Sequence, residues 1–329
     1  MTGGGIGVVG GGAWGTALAQ LSAADGSKVT LWAREDDVVT SINEAHENTA
    51  FLPGIALSPS LRATTGLTEL AAADMLFVVV PVPFLRATLA ALPPTGATLI
   101  LCSKGMEAGS FAFPVDIARA CHPRAPIAIL SGPTFAAEVA RGLPTAVTLA
   151  ADTLENAEAI AHRIARRHFR PYASDDVIGA EVGGAVKNIL AIACGVVAGA
   201  GLGENARAAL ISRGFAELAR FGIARGARME TLAGLAGLGD LVLTCSSTAS
   251  RNFSLGKGLG EGRRVADMLA DRASVAEGAF SAPVIHAAAQ AMGIDMPIVA
   301  AVDALIAGRT DARAAIGALL ARPLRGEGM

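Results

Sequence analysis

Residues 5–33 constrain the fold most. Gly5 to Val9 (G-I-G-V-V) is a short apolar run, followed by a glycine cluster and the helix-prone stretch Thr16 to Ala24. A second β-like run, Lys28 to Ala33 (K-V-T-L-W-A), comes next. These runs are continuously apolar rather than alternating, as expected of parallel strands covered on both faces. Four more occur at Met75 to Val80, Ala97 to Cys102, Pro126 to Leu130 and Ala146 to Ala150, with helix-like segments between most of them. Strand alternating with helix predicts an α/β fold: a doubly wound, Rossmann-type parallel sheet at the N-terminal end of the chain.

From about Ser174 the β-like runs stop. Ala-rich helical stretches take over at Asp176 to Val197, Ala206 to Phe221, Arg264 to Leu269, Ala282 to Met292 and Met296 to Ala307, with glycine or proline punctuating the gaps. This predicts an all-helical C-terminal domain, with a dinucleotide-binding domain over 1–178 and a helical substrate domain over 179–329. Hydrophobic residues make up 52% of the chain and aromatics only 4%, which favours helices packed closely through small side chains. The net charge of -2 supplies no overall attraction to nucleic acid, so any anion site must be local. The apolar stretch Asn188 to Gly203 falls short of the roughly 20 residues of a spanning helix and contains glycines, so it reads as a buried helix running into a loop and not as an integral membrane segment. The first basic residue is Lys28, so a signal peptide's charged n-region is missing. Cys102, Cys121, Cys194 and Cys245 match no C-x-x-C or zinc spacing, and the five histidines show no ligand spacing. The expectation is reduced thiols, no metal and a cytoplasmic protein.

The loop after the first run reads Gly10-Gly11-Gly12-Ala13-Trp14-Gly15, which is G-x-G-x-x-G. Gly10 permits the tight turn, Gly12 lets backbone approach a pyrophosphate, and Gly15 lets helix pack on strand. The phosphates would sit on the helix N-terminus, where amide groups and the dipole favour an anion. A motif of this kind is weak alone; here it follows a strand, opens a helix and precedes a second strand. The end of that second strand discriminates coenzymes. An acidic residue would bind the ribose hydroxyls, but this chain has Arg34, followed by Glu35. The cofactor expected is therefore NADP or NAD, with NADP favoured.

Four stretches place polar groups in apolar, Gly-rich surroundings. Ser103-Lys104-Gly105 stands at the end of the fourth run, where a parallel sheet binds ligands. Ser131-Gly132-Pro133-Thr134-Phe135-Ala136 follows the fifth; taken alone it is turn chemistry. Lys187 and Asn188 enter an apolar helix with no further charge until Glu204. Desolvation lowers an ammonium's pKa and suits it to proton transfer. Asp240, in G-L-G-D, lies between apolar runs and calls for a partner such as a lysine. Arg251, within Ser250-Arg251-Asn252, is a planar fork able to grip phosphate.

Together the segments G-G-G-A-W-G-T-A-L-A, S-K-G-M-E, S-G-P-T-F-A, G-G-A-V-K-N, G-L-G-D-L-V-L-T-C, S-R-N and V-A-E-G resemble the NAD(P)-dependent glycerol-3-phosphate dehydrogenase family, in family order from Gly10 to Gly278. The resemblance implies reduction of dihydroxyacetone phosphate to sn-glycerol 3-phosphate for phospholipid synthesis, by a homodimer or similar small oligomer. It implies that Lys187 is the proton donor and acceptor. Lys104, Gly132, Thr134, Asp240, Ser250, Arg251 and Asn252 match substrate positions. Trp14, Arg34, Lys104, Ala136, Arg251, Val275 and Glu277 match coenzyme contacts. Three residues depart from the family pattern: Ala198 before Gly199 where D-G is frequent, Phe253 where another arginine is common, and Phe51 where tyrosine is frequent. Two other readings stay open: a β-hydroxyacid dehydrogenase of the same two-domain plan, and a non-catalytic NAD(P)-binding redox sensor.

Overall fold

The computed structural model describes residues 5–269 and 276–322. The chain divides into two compact units: 1–107 with 112–177, and 108–111 with 178–329.

The first unit is built on eight strands: β1 (Gly5–Val9), β2 (Val29–Trp32), β3 (Leu61–Thr64), β4 (Ala73–Val78), β5 (Thr98–Leu101), β6 (Ile127–Ser131), β7 (Thr145–Ala151) and β8 (Phe169–Ser174). They form one sheet in the order β3-β2-β1-β4-β5-β6-β7-β8. Six α-helices accompany them among the described residues: α1 (Ala13–Ala23), α2 (Asp36–Ala45), α3 (Val82–Ala91), α4 (Pro114–Cys121), α5 (Ala136–Ala140) and α6 (Leu154–Ile164). The runs are continuously apolar because the sheet interior is covered. Val8, Leu31, Phe77, Ile100, Ala128 and Leu149 are buried in one cluster with Leu18 of α1 and Ile160 of α6. The sheet order reverses beside β1, which pairs in parallel with both β2 and β4. That switch point is where an open α/β sheet leaves room for a ligand, and the glycine loop sits on it.

The sheet differs from the sequence expectation in two ways. It has two more strands than the six runs, and both are edge strands. Arg62 in β3 and Arg170 in β8 interrupt the apolar pattern, since an edge is half exposed. Pro171 is tolerated in β8 because only β7 pairs with it. The sheet is also not wholly parallel, because β7 runs antiparallel to β6. The reason lies in the connection. Its only helix, α5, has five residues and a rise of about 7.5 Å, too short to carry the chain back along a strand of about 17 Å.

The second unit is helical among its described residues: α7 (Val177–Gly199), α8 (Gly203–Ala224), α9 (Met229–Leu232), α10 (Asp240–Cys245), α11 (Arg251–Gly260), α12 (Val265–Leu269), α13 (Glu277–Ala291), α14 (Pro297–Ile306) and α15 (Ala312–Leu320). A single π-helical turn, Leu235–Gly239, leads into α10. By length and composition α7 could cross a membrane, but 83% of its most apolar window is buried within the protein, as in a core helix. It starts earlier than the apolar stretch and includes Lys187. Glycines let its backbone touch its neighbours. A Cβ at Gly195 would lie 2.1 Å from the Phe253 carbonyl oxygen, and one at Gly256 would lie 2.0 Å from that of Ile192. Small residues therefore bring α7 and α11 into backbone contact.

One buried carboxylate makes this unit sensitive to pH. Glu217 of α8 is buried and accepts hydrogen bonds from the amides of Ile298 (2.8 Å) and Val299 (3.2 Å), in the first turn of α14. Burial pushes its carboxyl from 4.5 up to about 7, against the opposing pull of these amides and Arg220. Between those values the unfolded chain is ionised while the folded chain still holds the proton. Glu217 therefore contributes stability that is fully present below about 4.5 and is lost as pH rises through about 7. Denaturant unfolding across that range should show stability falling as pH rises. Glu217→Gln, which keeps an acceptor but cannot ionise, should flatten the slope.

Candidate active site

The first unit holds the glycine loop. Gly10 has φ +125°, a region open mainly to glycine, and a Cβ there would lie 2.7 Å from the Val79 carbonyl oxygen. At Gly15 a Cβ would lie 1.9 Å from the Gly10 carbonyl oxygen, so α1 can start against β1 only without a side chain. Gly12 is different: a Cβ built on it meets nothing within 4 Å. The loop is thus closed on its protein side and open at Gly12, the N-cap of α1. Such a cradle fits a dinucleotide pyrophosphate.

Around the same strand ends lie Lys104, half-buried beyond β5, and Gly132 beyond β6, with φ +149° and a Cβ position 2.9 Å from the Val147 Cα. The Thr134 hydroxyl donates to the Gly132 carbonyl (3.3 Å), and Ala136 opens α5. Trp14 is half-buried in the first turn of α1. Burial pushes the Cys102 thiol up to about 12, against the pull of the Lys104 charge and the Trp14 indole, so it stays protonated. Arg34 lies beyond β2, exposed, with its guanidinium bonded to Glu35 (Nη2–Oε1 2.8 Å). The acidic neighbour therefore holds the cation itself.

The second unit holds a buried charge pair. Lys187, near the middle of α7, is 5% exposed, and Asp240, the first residue of α10, is 0% exposed. The Lys187 Nζ donates to Asp240 Oδ1 (2.5 Å) and to Thr244 Oγ1 (3.0 Å). The Thr244 hydroxyl in turn donates to the Asp240 carbonyl (2.6 Å). Glycines make the approach possible. A Cβ at Gly183, one turn before Lys187, would lie 2.1 Å from the Ala236 carbonyl oxygen, and one at Gly237 would lie 1.8 Å from that of Leu232. The partner anticipated for Asp240 is Lys187. Thr244 was not anticipated as a member; the D-x-x-x-T spacing, which puts both residues on one face of a helix, is the signal that could have found it. The Cys194 side chain and burial push the adjacent Cys245 thiol well above its ordinary value, so no thiolate competes there for protons.

Ser250, Arg251 and Asn252 form the start of α11. Ser250 is the N-cap, accepting from the Phe253 amide (3.2 Å), and Arg251 is exposed. Asn252 accepts from the Gly278 amide (2.8 Å), so its oxygen caps α13 and its amide nitrogen is the atom left to act as a donor. Asn188 donates to Glu277 (3.5 Å), the first residue of α13. Val275, expected beside Glu277, lies outside the described residues.

Two family models match the chain. The NAD-dependent glycerol-3-phosphate dehydrogenase N-terminus covers residues 5–157, and the C-terminus of the same family covers 176–317. A glycerol-3-phosphate dehydrogenase of the NAD(P)+ type from Sphingopyxis alaskensis is 67% identical over 98% of both chains. Another from Erythrobacter litoralis is 60% identical over 98% of this chain and 97% of its own. Among solved structures, the glycerol-3-phosphate dehydrogenase of Coxiella burnetii superposes with a TM-score of 0.93 at 37% identity, covering 97% of this chain and 99% of that one.

Proposed function

Because the chain belongs to the NAD-dependent glycerol-3-phosphate dehydrogenase family and is an oxidoreductase using NAD(P), we propose that it reduces dihydroxyacetone phosphate to sn-glycerol 3-phosphate with Lys187 as the proton donor. The observation that carries this reading is the ammonium of Lys187, buried and hydrogen-bonded to the Asp240 carboxylate and the Thr244 hydroxyl. Reducing a ketone needs a hydride at carbon and a proton at oxygen. The coenzyme, when bound on the Gly10–Gly15 loop, supplies the hydride. Lys187 donates the proton to the carbonyl oxygen and takes it back in reverse. Asp240 holds the ammonium in place and offsets the cost of burying it. Lys104 adds positive charge where the alkoxide develops, which lowers the barrier.

Arg251 grips the substrate phosphate in this account, aided by the Ser250 hydroxyl and the Asn252 amide nitrogen. Gly132 and Thr134 complete the substrate contacts. Trp14, Arg34, Ala136, Arg251 and Glu277 contact the coenzyme, with Arg34 favouring NADP. We further propose that the protein works in the cytoplasm as a homodimer, in the reducing direction, to supply glycerophospholipid synthesis. Arg251→Ala tests the phosphate assignment. A charge-assisted hydrogen bond contributes about 1.5–3 kcal/mol, so the Michaelis constant for dihydroxyacetone phosphate should rise about ten- to a hundred-fold. A change confined to coenzyme affinity would show that Arg251 does not hold the substrate phosphate.

A further inference from the structure

Asn48 takes no part in the chemistry proposed above, yet it is a polar residue 0% exposed in the loop that follows α2. Every polar atom of its side chain is engaged. Its Nδ2 donates to the Gly11 carbonyl (2.9 Å) and to the Thr16 hydroxyl (2.8 Å), and its Oδ1 accepts from the Phe51 amide (3.1 Å). The Leu52 amide donates to its backbone carbonyl (2.8 Å). A buried amide so fully used holds two segments in one arrangement. One is the glycine loop and the other is the stretch from 48 to 52.

The Gly11 carbonyl is the consequential partner. It is drawn inward by Asn48, with a longer bond from the Thr16 hydroxyl (3.4 Å). The Gly11–Gly12 peptide is trans, so the Gly12 N–H points opposite to that carbonyl. An inward carbonyl therefore means an outward amide, on the residue whose Cβ position faces open space. A Cβ at Gly11 would lie 2.4 Å from the Ala33 Cβ, so the loop backbone packs directly against the chain just beyond β2.

We infer that Asn48 is a positioning residue for the coenzyme: it locks the Gly11–Gly12 peptide with its N–H turned toward the pyrophosphate and so sets dinucleotide affinity. This rests on the reading that the coenzyme lies on the Gly10–Gly15 loop. Three measurements separate the two claims. Gly12→Glu places a carboxylate in the open space of the cradle; it should abolish NADPH binding, and unchanged binding would overturn the loop reading itself. Asn48→Ala removes both bonds to the loop. It should raise the Kd for NADPH by about ten- to thirty-fold, the equivalent of one to two neutral hydrogen bonds. Its kcat at saturating NADPH and its Michaelis constant for dihydroxyacetone phosphate should stay within about threefold, a split that general loosening of the fold would not produce. A Kd within about twofold of the unaltered protein, with Gly12→Glu inactive in binding, would overturn the role of Asn48 alone. The unaltered protein gives a readout that needs no variant to fold. The Gly12 amide should exchange its proton rapidly in coenzyme-free protein and slowly once NADPH is added. Slow exchange before NADPH is added would show an inward-facing amide and overturn the inference.

Discussion

Asp240→Ala is expected to lower the unfolding free energy by about 3–5 kcal/mol, because it removes the carboxylate from a buried ion pair and leaves the ammonium in place. Asp240 is fully buried and Lys187 nearly so, so little water is available to resolvate the charge. Thr244 keeps its bond to the backbone carbonyl at position 240 and loses only the longer one to the carboxylate (3.4 Å). Stability and turnover should fall together in this variant. Replacing both members at once, as Lys187→Met with Asp240→Leu, removes both charges and should recover most of the lost stability while remaining inactive. Denaturant unfolding of the two variants checks this. A loss below about 1 kcal/mol for Asp240→Ala would mean that the pair is not charged and buried together.

Lys187→Ala is expected to lower kcat by about a hundred- to ten-thousand-fold, the usual cost of losing a positioned proton donor. NADPH affinity should change little, since Lys187 is not among the residues proposed to contact the coenzyme. Lys187→Arg sharpens the test. A guanidinium keeps the positive charge but does not give up its proton at accessible pH. If the ammonium only neutralises the Asp240 charge, the arginine variant should work well. If it transfers a proton, that variant should be nearly as impaired as Lys187→Ala. Steady-state rates together with a coenzyme titration distinguish the two.

Much of this architecture was legible in the chain, and the parts that were not share a physical cause. The interior strands announced themselves because both faces are buried, which forces continuous apolar runs; β1 falls on the expected residues, Gly5–Val9. The edge strands β3 and β8 did not, because half-exposed strands carry arginines and look like loop. The reversal of β7 was hidden for a different reason: strand direction depends on the length of α5, which an Ala-rich segment does not reveal. In the site, Gly10, Gly15, Lys187 and Asp240 could be read because each breaks a local pattern, a glycine where a helix begins or a charge in an apolar run. Thr244 and Asn48 could not. Threonine and asparagine are unremarkable in sequence, and their importance comes from burial and from partners 57 and 37 positions away.

The central claim is that a phosphorylated ketone is reduced, with its phosphate held by Arg251 and its oxygen protonated by Lys187. The most direct measurement is oxidation of NADPH and of NADH by the purified protein, with dihydroxyacetone phosphate and, separately, with 2- and 3-oxo acids. Rapid oxidation is expected with the ketone phosphate, at a kcat/KM at least about tenfold above that for any oxo acid, since a carboxylate offers two acceptor oxygens to Arg251, Ser250 and Asn252 where a phosphate offers three. Oxidation that proceeds equally well with an oxo acid, or not at all with dihydroxyacetone phosphate, would contradict it.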